Sequence, residues 1–270
     1  MRSQFKKVVS VISLTAALLP AAVSADDSDS WEFGASIYGW LPDISGSTTF
    51  PDGSGGDFTV PISTIFDNLN FTFQGSFDAR KGNWGLFTDV IYMDLGNSKS
   101  NTREGTIGGI EIPVDVTAKV SLDMTSWIWT TAGYYRMLET PQSTVDILAG
   151  VRYLDISQTL KLSLSGNIVD FPLPGRDGKV VAGGTNWDAI IGLRGRFAFG
   201  RDNAWFLPYY LDVGTGDSDL TWQALGGVGY TFGWGELAAV WRYMEYDLDN
   251  SGPMNDMDFN GPAVGAVWRW

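Results

Sequence analysis

Apolar and polar residues alternate one by one along much of this chain, and a period of two restricts the structures it can form. In LNFTFQGSFDAR, residues 69–80, apolar or small residues fill the odd positions and polar residues fill the even ones. WDAIIGLRGRFAF, residues 187–199, alternates similarly and carries aromatic residues at both ends. Such segments, about ten residues long, are typical of strands that face lipid on one side. A soluble β-sandwich also alternates, but its apolar faces are not so regularly bracketed by Trp and Tyr.

Ten segments show this pattern, and the connections between them alternate in length. The segments cover residues 31–41, 69–80, 83–95, 116–136, 143–156, 186–199, 203–213, 220–232, 235–246 and 258–270. Tight turns near residues 82, 140, 201 and 234 alternate with longer loops over 42–68, 96–115, 157–185, 214–219 and 247–257. Outer-membrane barrels place short turns in the periplasm and long loops outside the cell. The sequence therefore predicts an all-β fold, an antiparallel transmembrane β-barrel of about ten strands, with short periplasmic turns and longer extracellular loops.

The last ten residues, GPAVGAVWRW, form an apolar segment that ends on Trp270. Alternation directs Val264, Ala266, Trp268 and Trp270 towards lipid and Arg269 inward. An open sheet edge in lipid would leave backbone groups unsatisfied, at a cost of several kcal/mol each. We therefore expect this strand to pair with the first one, WEFGASIYGW.

The N-terminus has the features of a cleavable secretory signal. Arg2, Lys6 and Lys7 precede an apolar run over residues 8–19 and a site of small residues at 23–25. A spanning helix needs about 20 apolar residues, so this run is too short to be an anchor. We expect residues 1–25 to be a signal peptide and residues 26–270 to be a single barrel domain.

Charge and composition narrow the range of functions. Without the signal, Lys and Arg fall from 18 to 15 against 31 Asp and Glu, a net charge of −16 that argues against nucleic acid as a partner. The chain has no Cys, which excludes a disulfide framework and thiolate metal sites. It also has no His, whereas barrel enzymes such as omptin proteases and outer-membrane phospholipases rely on His-assisted steps. We therefore expect a non-enzymatic protein.

Three stretches, residues 62–96, 207–232 and the terminal strand, resemble a family of uncharacterised proteobacterial outer-membrane β-barrel proteins. The resemblance covers most of the chain after the signal and implies a barrel in the bacterial outer membrane, reached by signal-peptide-dependent export. It implies no established activity. The terminal aromatic residue also resembles the recognition signal read by the barrel assembly machinery, with Trp270 in place of the more usual Phe. The partners expected on this basis are that machinery, the outer-membrane lipids and lipopolysaccharide.

Alternation also predicts which charged side chains line the barrel interior. They comprise six acids and seven bases, and every base is Arg, whose planar guanidinium binds carboxylates through two hydrogen bonds. The predicted interior charges are Glu32, Asp78, Asp89, Asp146, Asp188, Asp212, Arg80, Arg136, Arg152, Arg194, Arg196, Arg242 and Arg269.

Two functions fit such an interior, because a barrel of this size is filled, or nearly filled, by its own side chains. One is a narrow channel or ligand-accepting pore, whose balanced lining favours small zwitterionic or neutral solutes. The other is a structural or surface-interaction protein with a closed, salt-bridged interior. The sequence leaves both open.

Three Asp-x-Asp pairs fall on neighbouring extracellular loops. They are Asp217 with Asp219, Asp247 with Asp249, and Asp256 with Asp258. A spacing of two presents both carboxylates of a pair on one side of an extended segment, and Ca²⁺ and Mg²⁺ favour oxygen ligands. This acidic rim is therefore a predicted Ca²⁺ or Mg²⁺ site. The alternative is an ordinary solvated acidic surface, since EF-hand spacing is missing. We expect no other cofactor.

Two further outer segments have recognisable patterns. Residues 117–124 and 160–164 alternate beyond the membrane and predict a protruding pair of strands with an apolar face. ISTIFDNL, residues 62–69, predicts a helical turn that caps the barrel mouth or folds into it.

Overall fold

The computed structural model describes residues 30–49, 55–102, 106–107, 110–111, 117–165, 177–248 and 254–270. The predicted signal peptide, residues 1–25, lies outside these ranges. Within them, no helix combines the length and the apolar character that crossing a membrane requires.

The described chain consists mainly of long antiparallel strands. In chain order the elements are β1 (Trp31–Trp40), β2 (Asp43–Thr49), β3 (Gly55–Val60), α1 (Ile62–Asn68), β4 (Leu69–Lys81), β5 (Trp84–Thr102), β6 (Thr106–Ile107), β7 (Ile110–Glu111), β8 (Thr117–Glu139), β9 (Ser143–Ser165), β10 (Asp177–Phe199), a 3₁₀ turn (Arg201–Asn203), β11 (Trp205–Gly216), β12 (Ser218–Phe232), β13 (Gly235–Leu248) and β14 (Met254–Arg269).

Ten of these strands, β1, β4, β5 and β8 to β14, form a closed barrel wall. Each pairs antiparallel with the next, and β1 pairs with β14 from Gly34 opposite Arg269 to Trp40 opposite Ala263. Backbone hydrogen bonds between Phe33 and Trp270, at 2.8 and 3.0 Å, extend the closure to the last residue. The predicted ten-stranded barrel and the pairing of its two terminal strands are confirmed.

The direction of the side chains follows the predicted alternation. On β4, Phe71 and Phe73 are 58% and 51% exposed, whereas Gln74, the next residue after Phe73, is 2% exposed. On β10, Ile191 is 64% exposed and its neighbour Ile190 is 2% exposed. Large apolar residues on the outside of the wall are stable only in lipid, so the register is that of a transmembrane barrel.

Aromatic side chains on the outer surface form two bands. The periplasmic girdle includes Trp84 packed against Tyr135 at 4.9 Å and Trp205 against Tyr230 at 5.0 Å between ring centroids. The outer girdle consists of three close pairs, Tyr92–Trp127, Tyr153–Trp187 and Trp222–Tyr243. On β5 the two girdles are about eight residues apart, which is roughly 26 Å along the strand. Because the strands of such barrels are tilted by about 40°, this corresponds to about 20 Å along the membrane normal. This height approximates the apolar band of an outer-membrane barrel.

Four neighbouring strands run well past the outer girdle. β5, β9 and β10 enter regions predicted to be loops, whereas β8 was predicted as a strand over its extension. β8, β9 and β10 each have 23 residues and β5 has 19, whereas about 9–11 suffice to cross the membrane. The backbones of β8 and β9 remain paired out to Thr117 opposite Ser165, so the predicted protruding pair of strands exists, and β10 widens it. Of the side chains predicted to form its apolar face, Met124 is buried in the barrel interior, and the others lie outside the described residues.

The connection between β11 and β12 is much shorter than predicted. The interval 214–219 was expected to be a longer loop, but only Asp217 within it lies outside a strand. Its backbone N–H donates to the Trp187 carbonyl at 3.0 Å, and its carboxylate accepts from the Trp187 N–H at 2.9 Å. These two bonds attach the turn to β10 and permit its tight form.

The predicted long loop 42–68 also contains regular structure. β2 continues the path of β1 after Leu41 and Pro42 and pairs with β14, and β3 pairs with β2. The helical turn predicted from ISTIFDNL is confirmed as α1, in which Ile65 is completely buried.

Candidate functional site

Ion pairs occupy the periplasmic end of the barrel interior. Arg80 contacts Glu32 at 2.5 Å and Glu139 at 2.7 Å, and Arg136 contacts Glu139 at 3.1 Å. Partial burial acts to raise the pKa of Glu139, which lies beyond the periplasmic girdle. Hydrogen bonds from Arg80 and charges on both arginines outweigh burial, so this pKa is lower than usual.

A second group of charges lies at the same end, on β10, β13 and β14. Arg196 donates to Glu236 at 2.5 Å, and Arg269 approaches the other oxygen of Glu236 at 3.4 Å. The guanidinium of Arg196 also lies 4.2 Å above the ring of Phe206. Glu236 is absent from the predicted interior set, although it shares the inward face of β13 with Arg242 and alternation could have identified it.

Arg194 forms a bridge across the next level of the lumen. It contacts Asp78 on β4 and Asp146 on β9, the latter at 3.3 Å. Its guanidinium lies 4.1 Å from the ring centroid of Tyr134 and 4.7 Å from that of Phe87. A side chain from β10 thus reaches four other strands of the wall.

Neighbouring groups complete the hydrogen bonding of these two carboxylates. Arg136 donates to Asp146 at 2.5 Å, and the Tyr134 hydroxyl donates to Asp78 at 2.8 Å. The Tyr134 ring lies over Gly85, where an added Cβ would be 2.2 Å from the ring. Glycine at residue 85 is therefore required for the position of Tyr134.

Two fully buried arginines form the central level. Arg152 and Asp212 make an ion pair in which both side chains have no exposed surface, and the Tyr210 hydroxyl donates to Asp212 at 2.5 Å. Arg242 donates to Asp89 at 2.9 Å and to Gln223 at 2.8 Å. Buried charges are stable when they are paired and hydrogen-bonded, and both arginines form an ion pair with a carboxylate. Within the described structure, Arg242 Nε and Asp212 Oδ1 are buried without a hydrogen-bond partner.

Asp188 has a partner of a different kind from the one expected. The interior prediction grouped it with inward arginines such as Arg194 and Arg196. Its two oxygens instead accept from the Ser218 N–H at 2.8 Å and the Ser218 hydroxyl at 2.9 Å. Asp188 therefore fixes the start of β12.

Apolar side chains fill the interior above the charged levels. We call this set the apolar layer. Its core members are Trp40, Ile44, Val60, Ile65, Ile91, Met93, Leu95, Met124, Ile128, Leu154, Ile156, Met244, Tyr246, Met257, Phe259 and Ala263. Each is 5% exposed or less, and they come from both sides of the barrel as well as from α1. The guanidinium of Arg242 lies 4.8 Å from the Trp40 ring, where charged and apolar levels meet.

The acidic rim is partly engaged in other contacts. Asp217 bonds the backbone of Trp187, and Asp256 accepts from the N–H of Ser47 at 3.0 Å and from its hydroxyl. Asp247 lies opposite Asp256 in the β13–β14 ladder, and Asp258 lies opposite Glu245. Asp219 is exposed and Asp249 lies outside the described residues. Among the residues that are described, no group of three or more acids could hold a metal, and the Ca²⁺ or Mg²⁺ site stays a prediction.

Together, the closed wall, the lipid-facing surface and the two girdles define the architecture of an integral outer-membrane β-barrel protein. No family model matches the chain, and no curated protein matches it. Its fold is similar to that of the outer membrane protease OmpT from Escherichia coli, with a TM-score of 0.52 and 10% identity over 92% of this chain and 98% of that one.

Two other outer-membrane structures match with lower scores. The translocator domain of the autotransporter NalP from Neisseria meningitidis has a TM-score of 0.37 at 15% identity, over 89% of this chain and 88% of that one. The attachment invasion locus protein Ail of Yersinia pestis has a TM-score of 0.31 at 12% identity, over 88% and 98%. Of the three, only the similarity to OmpT is strong enough to bear on the fold, and at that identity it bears on nothing else.

Proposed function

We propose that this chain is a non-enzymatic integral outer-membrane protein whose barrel is closed to solutes and which acts through its extracellular strands. Of the two functions left open by the sequence, this is the surface-interaction protein with a closed interior. The observation that carries the proposal is the stacking of two kinds of barrier in one lumen: charged levels nearer the periplasm and the apolar layer above them.

The charged levels are a poor path for ions or polar solutes. Arg194 spans the lumen between Asp78 and Asp146, and Arg152 and Asp212 have no exposed side-chain surface. A solute moving through would have to separate these pairs, and breaking a buried pair costs about 3–5 kcal/mol.

The apolar layer adds a barrier of another type. Trp40 and Phe259 are fully buried, with ring centroids 6.1 Å apart, and Ile65 of α1 packs into the same layer. A hydrated solute would lose its water there without gaining hydrogen bonds in return. A narrow channel or ligand-accepting pore would need a continuous polar path, and the described interior favours the closed alternative.

The extensions of β5, β8, β9 and β10 are the part of the protein best placed for contact with partners. About half of each 23-residue strand stands beyond the membrane, and those backbones stay paired. A rigid sheet of this kind presents a preorganised surface, which lowers the entropic cost of binding. No His is available for the acid–base steps on which many barrel enzymes rely, which supports a non-enzymatic role.

The proposal includes the location and the assembly route. The lipid-facing belt supports residence in the outer membrane, in contact with its lipids and lipopolysaccharide. In the proposed route, the signal peptide directs export of the chain. The barrel assembly machinery then inserts it into the outer membrane and recognises the C-terminal strand that includes Trp270.

Single-channel recording in planar bilayers tests the closed barrel. Circular dichroism and heat-modifiable migration on gels would first establish that the inserted protein is folded. We expect no discrete openings from the folded protein at either polarity. Reproducible unitary currents would contradict the proposal and favour the narrow channel.

A further inference from the structure

The seam between β1 and β4 is not built like a complete antiparallel ladder. Its backbone pairing runs from Trp31 opposite Lys81 to Ile37 opposite Gly75 and stops, although both strands continue. Above that point the side chain of Gln74 takes over: its oxygen accepts from the Trp40 N–H at 2.5 Å, and its amide donates to the Trp40 carbonyl at 2.9 Å. The two strands therefore part near the outer girdle and are joined there by a side chain.

The short helix α1 leads directly into β4 at this parting and packs against β5 and against β2, which continues the path of β1. It begins where the Ile62 N–H donates to Asp43 at 2.6 Å, and Ile65 points into the apolar layer. Seven residues are too few for a helix that is stable by itself, and its N-terminus has no side-chain cap. Its position thus depends on packing, chiefly that of Ile65, rather than on a strand ladder.

The apolar layer behind α1 is rich in methionine. Met93, Met124, Met244 and Met257 are all buried in it. Methionine side chains are unbranched and adopt many shapes, so a core rich in them can repack around a guest. This layer can therefore accept an apolar chain in a way that a core of branched residues could not.

The outer side of the seam faces lipid. Ile37 lies at the last backbone pair, and Phe71 and Phe73 follow on β4, all more than half exposed. Phe73 pairs with Tyr92 of the outer girdle, which puts the parting at the level of the outer leaflet. Acyl chains in the membrane thus contact the seam directly.

We propose that the apolar layer is a binding site for an acyl chain, which enters sideways between β1 and β4 when α1 moves away. The chain would replace Ile65 against the methionines, and Gln74 would mark the lower end of the opening. This proposal stands apart from the closed lumen, because it concerns entry through the wall rather than passage along the barrel axis.

Methyl NMR of the protein in phospholipid nanodiscs, labelled with ¹³C at the methionine methyl groups, tests this directly, with dodecanoate as the probe. We expect the Met244 and Met257 resonances to shift saturably with dodecanoate. Met137, exposed near the periplasmic end, serves as an internal control and should not shift. Equal shifts of all three resonances would overturn the proposal, and so would the absence of a saturable shift together with the absence of the lipid-induced broadening described below.

A pair of variants on α1 adds a control for the entry route. Ile65→Ala should strengthen dodecanoate binding several-fold, because it weakens the packing that holds the helix in place. Phe66→Ala removes an exposed side chain one residue away and should leave the affinity unchanged. Equal affinity in all three proteins would contradict entry beneath α1.

A second sample identifies the source of the chain. Nanodiscs made with phospholipid that carries a nitroxide in mid-chain, without dodecanoate, should broaden Met244 and Met257 if a membrane lipid inserts its own chain. Shifts with dodecanoate in the absence of this broadening assign the site to a free fatty acid. If both the broadening and the shifts are absent, both sources of the chain are excluded, and the proposed site is excluded with them.

Discussion

Arg194 illustrates how single residues hold the interior of this barrel together. It joins carboxylates from β4 and β9 and stacks on rings from β5 and β8, so one side chain links five strands of the wall. Arg201, by contrast, is exposed in a periplasmic turn. The same residue type therefore has very different energetic weight at these two positions.

Replacing Arg194 tests this difference. Arg194→Ala should lower the free energy of unfolding by about 3 kcal/mol, because Asp78 and Asp146 lose a buried partner. The value is at the lower end of the usual range, since Tyr134 and Arg136 still serve those carboxylates. Arg201→Ala should change it by about 0–1 kcal/mol. Urea unfolding from lipid vesicles measures both.

Equal urea midpoints for the two variants would indicate that the interior is wet and its ion pairs weak. An intermediate result is expected for Arg196→Ala, because Arg269 remains near Glu236 after the change.

Which charges face inward was predictable at this scale, but their partners were not. Strict alternation places Arg136 and Asp146 inward, and it could have added Glu236. It could not have placed Glu139, because an irregularity between Arg136 and Leu138 changes the register there. Partner choice, such as Asp188 with Ser218, depends on distances across the lumen that a one-dimensional pattern does not contain.

Strands were the most predictable elements, because the membrane imposes alternation wherever one face meets lipid. The ten wall strands lie close to their predicted positions. The extracellular extensions of β8 and β9 were predicted from the alternation over residues 117–124 and 160–164. Those of β5 and β10 were missed, because past the outer girdle no lipid enforces such a pattern. The tight turn at Asp217 was missed as well, since it depends on hydrogen bonds to Trp187 in another strand.

Site-directed spin labels test the register of the strands. The chain has no Cys, so each introduced cysteine is unique. Labels at Phe71, Phe73, Ile191 and Leu193 should collide frequently with oxygen dissolved in lipid. Labels at Thr72 and Ser76, on the inward face of β4, should not. The reverse pattern would mean that the register is displaced by one residue, which moves every side chain to the other face.

At the scale of the whole molecule, a closed wall surrounds an interior divided into charged and apolar levels. The sequence predicted the closed wall and the charged levels, because both follow from alternation. It did not predict that the apolar layer would bring together distant segments such as α1 and β14, with Ile65 and Phe259 in one cluster. That layer is what favours a sealed lumen over a channel.

Ser126 lies inside the lumen on β8 and is 2% exposed. It is opposite Met93 on one neighbouring strand and Ile156 on the other, both members of the apolar layer. Its hydroxyl is buried without a hydrogen-bond partner in the described structure, so Ser126→Cys should preserve the fold. The thiol would then report on water access at the level of the apolar layer.

The most direct test of a sealed lumen is the rate at which a small, water-soluble thiol reagent modifies Ser126→Cys in folded, membrane-inserted protein. The sealed interior predicts modification far slower than that of the same cysteine in urea-unfolded protein, with the reagent supplied on both sides of the membrane. Modification of the folded protein at nearly the unfolded rate would show that water reaches the apolar layer and would contradict the closed barrel.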